Sequence, residues 1–377
     1  MWISRRLASV FVCTCLSCGD TGDDAGDEVG SLGSSVSPTA TIPGGSEEGE
    51  GTDGVDDDDT GQGDTDDDAT DPNVDDGSDG SDESGDGTTG ELIPFEPGLC
   101  ADAPPMGSPV PPAPPAYSGG ACPMLMPGYN TGFASGGLAR EFALIVPSDV
   151  DDTGTYPLMF AWYHISGNAM DFVDQVSAQA LADSSRSIIV IPQDSGMFEA
   201  TWPDTPLDIA QSGVDLALFD DLHACVSQQF PINTNCVSSL GVSAGGLWTS
   251  YLATVRGQHF AANLTISGGH PSEFVGPWWP WMSPRPYAAL VLWGGPTDVL
   301  GVDFHTASLN LVGELSGSGH FVLRCEHMGG HGLPAIGDGD PLRTALHFIR
   351  NHPFWLNGAS PLDMGLPDFY PSYCVAL

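Results

Sequence analysis

From Leu138 onward, short apolar runs alternate with stretches whose apolar residues recur every three or four positions. The run "LAREFALIVP" alternates in hydropathy and closes on a proline, as a half-covered strand does. "YPLMFAWYH" and "RSIIVIPQD" are continuous apolar runs too short for helices, the pattern of strands covered on both faces. Between those two, residues 170–184 have helical spacing. In "DIAQSGVDLALFDDLHACVSQQF", Val214, Leu218, Phe219, Leu222 and Val226 fall on one stripe, which predicts a single long amphipathic helix. Further strands are predicted at 237–240, 262–267 and 288–293, and a last one in "HFVLRCEH" before a C-terminal helix around "PLRTALHFIRNH". Strands alternating with helices predict an α/β domain, a mostly parallel sheet with helices on both faces.

The N-terminal part has no such pattern. Residues 20–91 hold 25 of the 50 acidic residues, no Lys or Arg and few large apolar side chains. Such a stretch buries too little surface to offset its ordering entropy, and residues 18–91 read as an acidic disordered tether. No frame in it supplies the glycine and glutamate of an EF-hand loop. Ahead of it, "MWISRRLASVFVCTCLSCGD" has two arginines and then an apolar run too short to span a bilayer. Residues 1–17 therefore read as a signal peptide. Cys18, followed by Gly19 and Asp20, resembles a bacterial lipoprotein processing site, although Cys15 stands where leucine is usual. The expected location is an exported lipoprotein of the cell surface or periplasm, with plain secretion as the alternative.

Six further cysteines, Cys100, Cys122, Cys225, Cys236, Cys325 and Cys374, are an even set in an exported chain and predict disulfides. Proximity pairs Cys100 with Cys122, Cys225 with Cys236 and Cys325 with Cys374. Residues 92–137, rich in proline and glycine, read as a disulfide-bearing extension over the surface of a catalytic domain at 138–377. Downstream of residue 91 there are 25 acids against 7 arginines, which disfavours nucleic acid and anionic membrane surfaces as partners. A membrane enters only through the lipid. The absence of lysine excludes Schiff-base chemistry, Walker-type phosphate loops and Ser-x-x-Lys acyl transfer.

One motif carries candidate chemistry. Gly241-Val242-Ser243-Ala244-Gly245 falls between a predicted strand and a predicted helix, where a nucleophile elbow belongs. Ala244, beside the helix N-terminus, can aim its N–H at an oxyanion. A serine needs a base and an orienting acid. Asp298 follows the strand ending at Trp293, with Asp303 second in line; His331 sits in the glycine-rich loop after the last strand, with His327 second. A metal pair at His327 and His331 is disfavoured by the intervening Gly329 and Gly330 and by the missing glutamate of a His-Glu-x-x-His site. The order Ser, Asp, His along the chain is that of α/β-hydrolases.

With these motifs in view, residues 140–334 resemble secreted polyhydroxybutyrate depolymerases and the related feruloyl and acetylxylan esterases of the α/β-hydrolase superfamily. The likeness rests on "VIPQDS" with "TWPD" downstream, "DLALFDDL", "LGVSAGG", "GGPTDV" and "CEHMGGHGLP". It implies the α/β-hydrolase fold, a Ser243, Asp298, His331 triad, a carboxylic-ester substrate that is polymeric in some members, and no cofactor. It also implies a second oxyanion donor in the loop from His164, at Ile165 or Ser166, with Ile165 in place of the family's usual glycine. Trp202 stands where the family often places a substrate-contacting tryptophan, and packing is the alternative. The tryptophan-rich "PWWPWMSPRPY" reads as a lid or wall, or as a packed loop. The expected activity is that of an exported serine esterase; the alternatives are a peptidase of the same fold and an inactive tethered binding protein. Oligomeric state is left open.

Overall fold

The computed structural model describes residues 98–377, apart from 152, 199, 274–275 and 335–338. The leader, Cys18, the acidic stretch and the first residues of the extension lie outside the described residues.

The elements run β1 (Gly128–Ser135), β2 (Leu138–Ile145), β3 (Tyr156–Trp162), α1 (Ala169–Gln175), α2 (Ala178–Ser185), β4 (Ile188–Pro192), α3 (Pro206–Ala210), α4 (Gly213–Gln229), β5 (Ile232–Val242) and α5 (Ala244–Arg256). They continue as β6 (Ala262–Ile266), the short pair β7 (Ser272–Glu273) and β8 (Gly276–Pro277), β9 (Ala288–Trp293), and the hairpin β10 (Val299–Leu300) and β11 (Val302–Asp303). Then come α6 (Phe304–Gly317), β12 (Val322–Glu326), α7 (Pro341–Asn351) and β13 (Cys374–Ala376).

Nine strands form one sheet in the order β1-β2-β4-β3-β5-β6-β9-β12-β13. The strands from β4 to β12 pair in parallel, while β1, β2 and β13 are antiparallel additions at the two edges. All residues of β4 and β9 are buried, which is why those runs are apolar without alternation. Parallel pairing brings the C-terminal ends of β3, β4, β5, β6, β9 and β12 to one edge of the sheet. Loops from that edge carry the residues singled out above.

Four expectations change. The sheet begins inside the predicted extension, because β1 pairs with β2 through a hairpin at Gly136 and Gly137, both at positive φ. Tyr129 and Phe133 are its only large apolar residues, so the strand has almost no hydrophobic signature. The predicted helix at 170–184 is two helices separated by Ser177, a left-handed residue with φ 48°. The predicted helix through "DIAQSG" also breaks, and Thr205 caps a separate short α3 by accepting the N–H of Asp208.

The fourth change concerns the disulfides. Cys325 bonds Cys374, joining β12 to β13, as proximity indicated. The other two are Cys100–Cys236 and Cys122–Cys225, not the neighbour pairs. Cys225 lies inside α4 and Cys236 inside β5, and each faces the extension. The extension is sewn down further by polar contacts. Asp221 of α4 accepts the Ser118 N–H and the hydroxyls of Ser118 and Ser135, and Gln229 bonds Leu125 N–H and the Pro123 carbonyl. At the start of the described chain, the Cys100 carbonyl accepts from Asn233 at 2.7 Å, and Leu99 donates to Asn351.

Candidate active site

Ser243 occupies the turn between β5 and α5 with φ 57° and ψ −120°, a conformation that L residues rarely take. The glycines on either side are steric necessities. A Cβ on Gly241 would lie 2.0 Å from the Gly245 carbonyl oxygen, and one on Gly245 would lie 2.2 Å from that of Trp162. With both absent, the helix starts directly against the ends of β3 and β5, and the hydroxyl is held out from the sheet.

His331 bridges that hydroxyl to Asp298: its Nε2 is 3.0 Å from Ser243 Oγ and its Nδ1 is 2.7 Å from Asp298 Oδ1. The second carboxylate oxygen of Asp298 accepts the Ser267 hydroxyl at 2.9 Å and the Gly294 N–H at 2.8 Å. Burial alone would raise the Asp298 carboxyl, but the hydrogen bonds from His331, Gly294 and Ser267 and the nearby imidazole outweigh it and hold it below its ordinary value. Phe304, the first residue of α6, stacks on the His331 ring at 4.5 Å between centroids, 28° from parallel. Its backbone N–H is bonded to the Asp298 carbonyl.

Ala244 opens α5 directly after the serine, and the end of β3 with the start of its loop, at the Trp162 and Tyr163 carbonyls, lies against Gly245 of the elbow. Ile165 is exposed on that loop, and Ser166 has φ 60° and donates its N–H to the Thr201 hydroxyl at 3.0 Å.

Comparisons with known proteins agree with this architecture. No protein-family model matches the chain. Feruloyl esterase D of Neurospora crassa is 27% identical over 174 residues, 44% of this chain and 57% of that protein, so the chain spans little more than half the length of this curated relative. The native crystal structure of pOPH superposes with a TM-score of 0.56 over 68% of this chain and 96% of its own, at 18% identity. Native sOPH gives 0.54 over 68% and 96%, at 19% identity. The chain has the α/β-hydrolase fold.

Within this α/β-hydrolase fold the remaining sequence candidates separate. Asp303 caps α6, accepting the Thr306 N–H and hydroxyl, and is exposed. His327 is buried and accepts the Gly329 N–H. Neither is hydrogen-bonded to Ser243. Trp202 is fully buried: its indole N–H donates to the Tyr163 carbonyl at 2.9 Å and its ring meets Trp162 edge-on. It has no surface left for a substrate, which corrects the substrate-contact expectation in favour of packing. The tryptophan-rich insertion is likewise seated on the domain. Trp279 is buried against Tyr251 and His270, and Trp281 donates to Ser318 at the end of α6.

Sequence reasoning passed over Ser267, Gly294, Phe304 and Thr201. A serine closing β6 and a glycine closing β9 are ordinary strand ends until the fold places them against Asp298. Thr201 has a legible clue, since it directly precedes the tryptophan that attracted notice.

Proposed function

We propose that this protein is an exported serine esterase that hydrolyses carboxylic esters through an acyl-enzyme. The observation that carries the reading is the unbroken hydrogen-bonded row from Asp298 through His331 to Ser243, with the serine on a strained elbow. Ser243 Oγ attacks the ester carbonyl while His331 Nε2 takes its proton. Asp298, kept ionised, fixes the tautomer that leaves Nε2 free to accept and favours the imidazolium that forms. The Ala244 N–H at the head of α5 donates to the developing oxyanion, and the loop after β3 forms the adjoining wall of that pocket. His331 returns the proton to the leaving alkoxide. Water then repeats the sequence on the acyl-enzyme, and no cofactor is needed.

The likeness to a feruloyl esterase supports an ester as substrate, and its 27% identity leaves the ester class open among polyester, feruloyl and acetyl-sugar types. Three disulfides fit folding in an oxidising compartment. Residues 18–91 would then serve as a tether to a lipid on Cys18, whose substitution by alanine should move the protein from the membrane fraction to the soluble one. Retention in the membrane would refute the anchor.

Hydrolysis of p-nitrophenyl butyrate tests the chemistry. Ser243→Ala should lower kcat by about 10⁴-fold or more, and Asp298→Asn by roughly 10⁴-fold, at little change in KM. Parental turnover by Ser243→Ala would sink the esterase reading and leave a binding protein of the same fold. Cleavage of peptide amides with ester turnover absent would favour a peptidase.

A further inference from the structure

The loop after β3 was expected to offer a backbone N–H to the oxyanion, yet the Ser166 N–H is already bonded to the Thr201 hydroxyl. That places Thr201 against the same loop, and the backbone around it shows how it is held there. The Tyr163 carbonyl is approached from two sides. A Cβ on Gly245, in the elbow, would be 2.6 Å from it, and the Trp202 indole N–H is bonded to it at 2.9 Å. The elbow and the residue after Thr201 are therefore pressed against one atom at the end of β3.

Thr201 is also strained. It is a β-branched residue at φ 80°, a conformation that such residues avoid, and it is bonded to Ser166, a second non-glycine residue at positive φ. It is 6% exposed, and among the described residues no acceptor takes the proton of its hydroxyl. A buried hydroxyl whose lone pair is engaged and whose proton is not leaves one strong donor uncommitted beside the loop after β3. Accepting the Ser166 N–H polarises that hydroxyl and strengthens it as a donor.

We propose that the Thr201 hydroxyl is an oxyanion donor, a catalytic residue that acts alongside the Ala244 N–H in place of the sequestered Ser166 N–H. It donates a hydrogen bond to the carbonyl oxygen as negative charge builds there, keeps its proton throughout, and releases the oxygen when the tetrahedral intermediate collapses. The strained backbone holds the hydroxyl at the pocket before substrate arrives, so little reorganisation is needed at the transition state. The assignment rests on the esterase reading of Ser243.

The test uses the full-length protein with p-nitrophenyl butyrate and its thionoester counterpart, whose C=S sulfur is a poor hydrogen-bond acceptor. Thr201→Val should lower kcat on the oxygen ester by roughly 10²-fold, in the range for loss of one oxyanion donor. KM should move less than about threefold. The ratio of oxygen-ester to thionoester rates should shrink by a similar factor, because the lost donor had little to give sulfur. Thr201→Ser, which keeps the hydroxyl, should restore most of both. If Thr201→Val does not fold, Thr201→Ala relieves the β-branched strain and is held to the same expectation. A loss that is equal on both esters would mark Thr201 as a support for the loop only and overturn the assignment. Parental kcat in Thr201→Val, with Ser243→Ala inactive, would overturn it while leaving the esterase reading intact. Parental turnover in Ser243→Ala would remove both.

Discussion

At Gly245 and Phe304 single side chains, or their absence, set the chemistry of the site. Gly245→Ala would drive a methyl to within 2.2 Å of the Trp162 carbonyl, so the variant should lose both stability and fluorophosphonate labelling of Ser243. Unchanged labelling would show that the elbow tolerates the shift. Phe304 supports one face of the His331 ring; Phe304→Ala should lower kcat about tenfold with KM steady, and Phe304→Tyr should retain activity. An alanine variant with full kcat would show that the two hydrogen bonds suffice to orient the imidazole. Ser243, Asp298 and His331 were legible in the sequence because each is a reactive side chain among small residues just past an apolar run. Trp202 was not, because a buried ring and a substrate-facing ring leave the same mark in a linear pattern. Ser267 stayed hidden because hydroxyl residues are common at strand ends, and Thr201 because it lies in a loop nine residues past β4, where only tertiary contact marks it.

Among the elements, the parallel strands were the most legible, since burial on both faces demands uninterrupted apolar runs. The edge strand β1 was not, because an edge needs few large side chains. The helix breaks at Ser177 and Gln211 were missed for a different reason. Apolar spacing persists across both, and only backbone conformation interrupts the helices. Proximity mispaired two disulfides because Cys225 and Cys236 sit on separate elements that each meet the extension. Cys122–Cys225 closes a loop of 103 residues, so replacing both cysteines with serine should cost about 4 kcal/mol. In a domain of this size that is a fall of roughly 7 °C in Tm. A change under about 2 °C would mean that the Asp221 and Gln229 contacts hold the extension without it.

Across the whole molecule, buried titratable groups set the response to pH. Burial lowers His223 to about 3, aided by the charge of His259, and lowers His320 and His352 to about 4. Between pH 6.5 and 4 these three bind protons in the unfolded chain but not in the folded one, so their contribution to stability is lost as pH falls through that window. Asp204 opposes them. Burial, then the charge of Asp208, raises it to about 7, so from pH 3.8 to 7 it is protonated in the folded chain and ionised in the unfolded one. Its contribution is therefore lost as pH rises. Burial also lowers His259 and His327 and raises Asp215, so among the described residues five lowered histidines stand against two raised aspartates, which gives a net fall in Tm on acidification below pH 6.5. His223→Phe should flatten that fall, and Asp204→Asn should steepen it while raising Tm at pH 8. Thermal unfolding from pH 4 to 8 reads all three, and a parental Tm that is flat from pH 4 to 6.5 would contradict the scheme.

The chain enters the domain beside the start of β5, where Asn233 holds the Cys100 carbonyl and Cys236 holds Cys100 itself. Ser243 stands at the other end of the same strand, ten residues on, or roughly 30 Å at strand rise. A pull on the N-terminus is therefore borne by the far end of the strand that carries the nucleophile, and by a covalent bond to it. A molecule held from that side would present its serine at the opposite edge of the sheet, with the length of β5 between the point of entry and the ester.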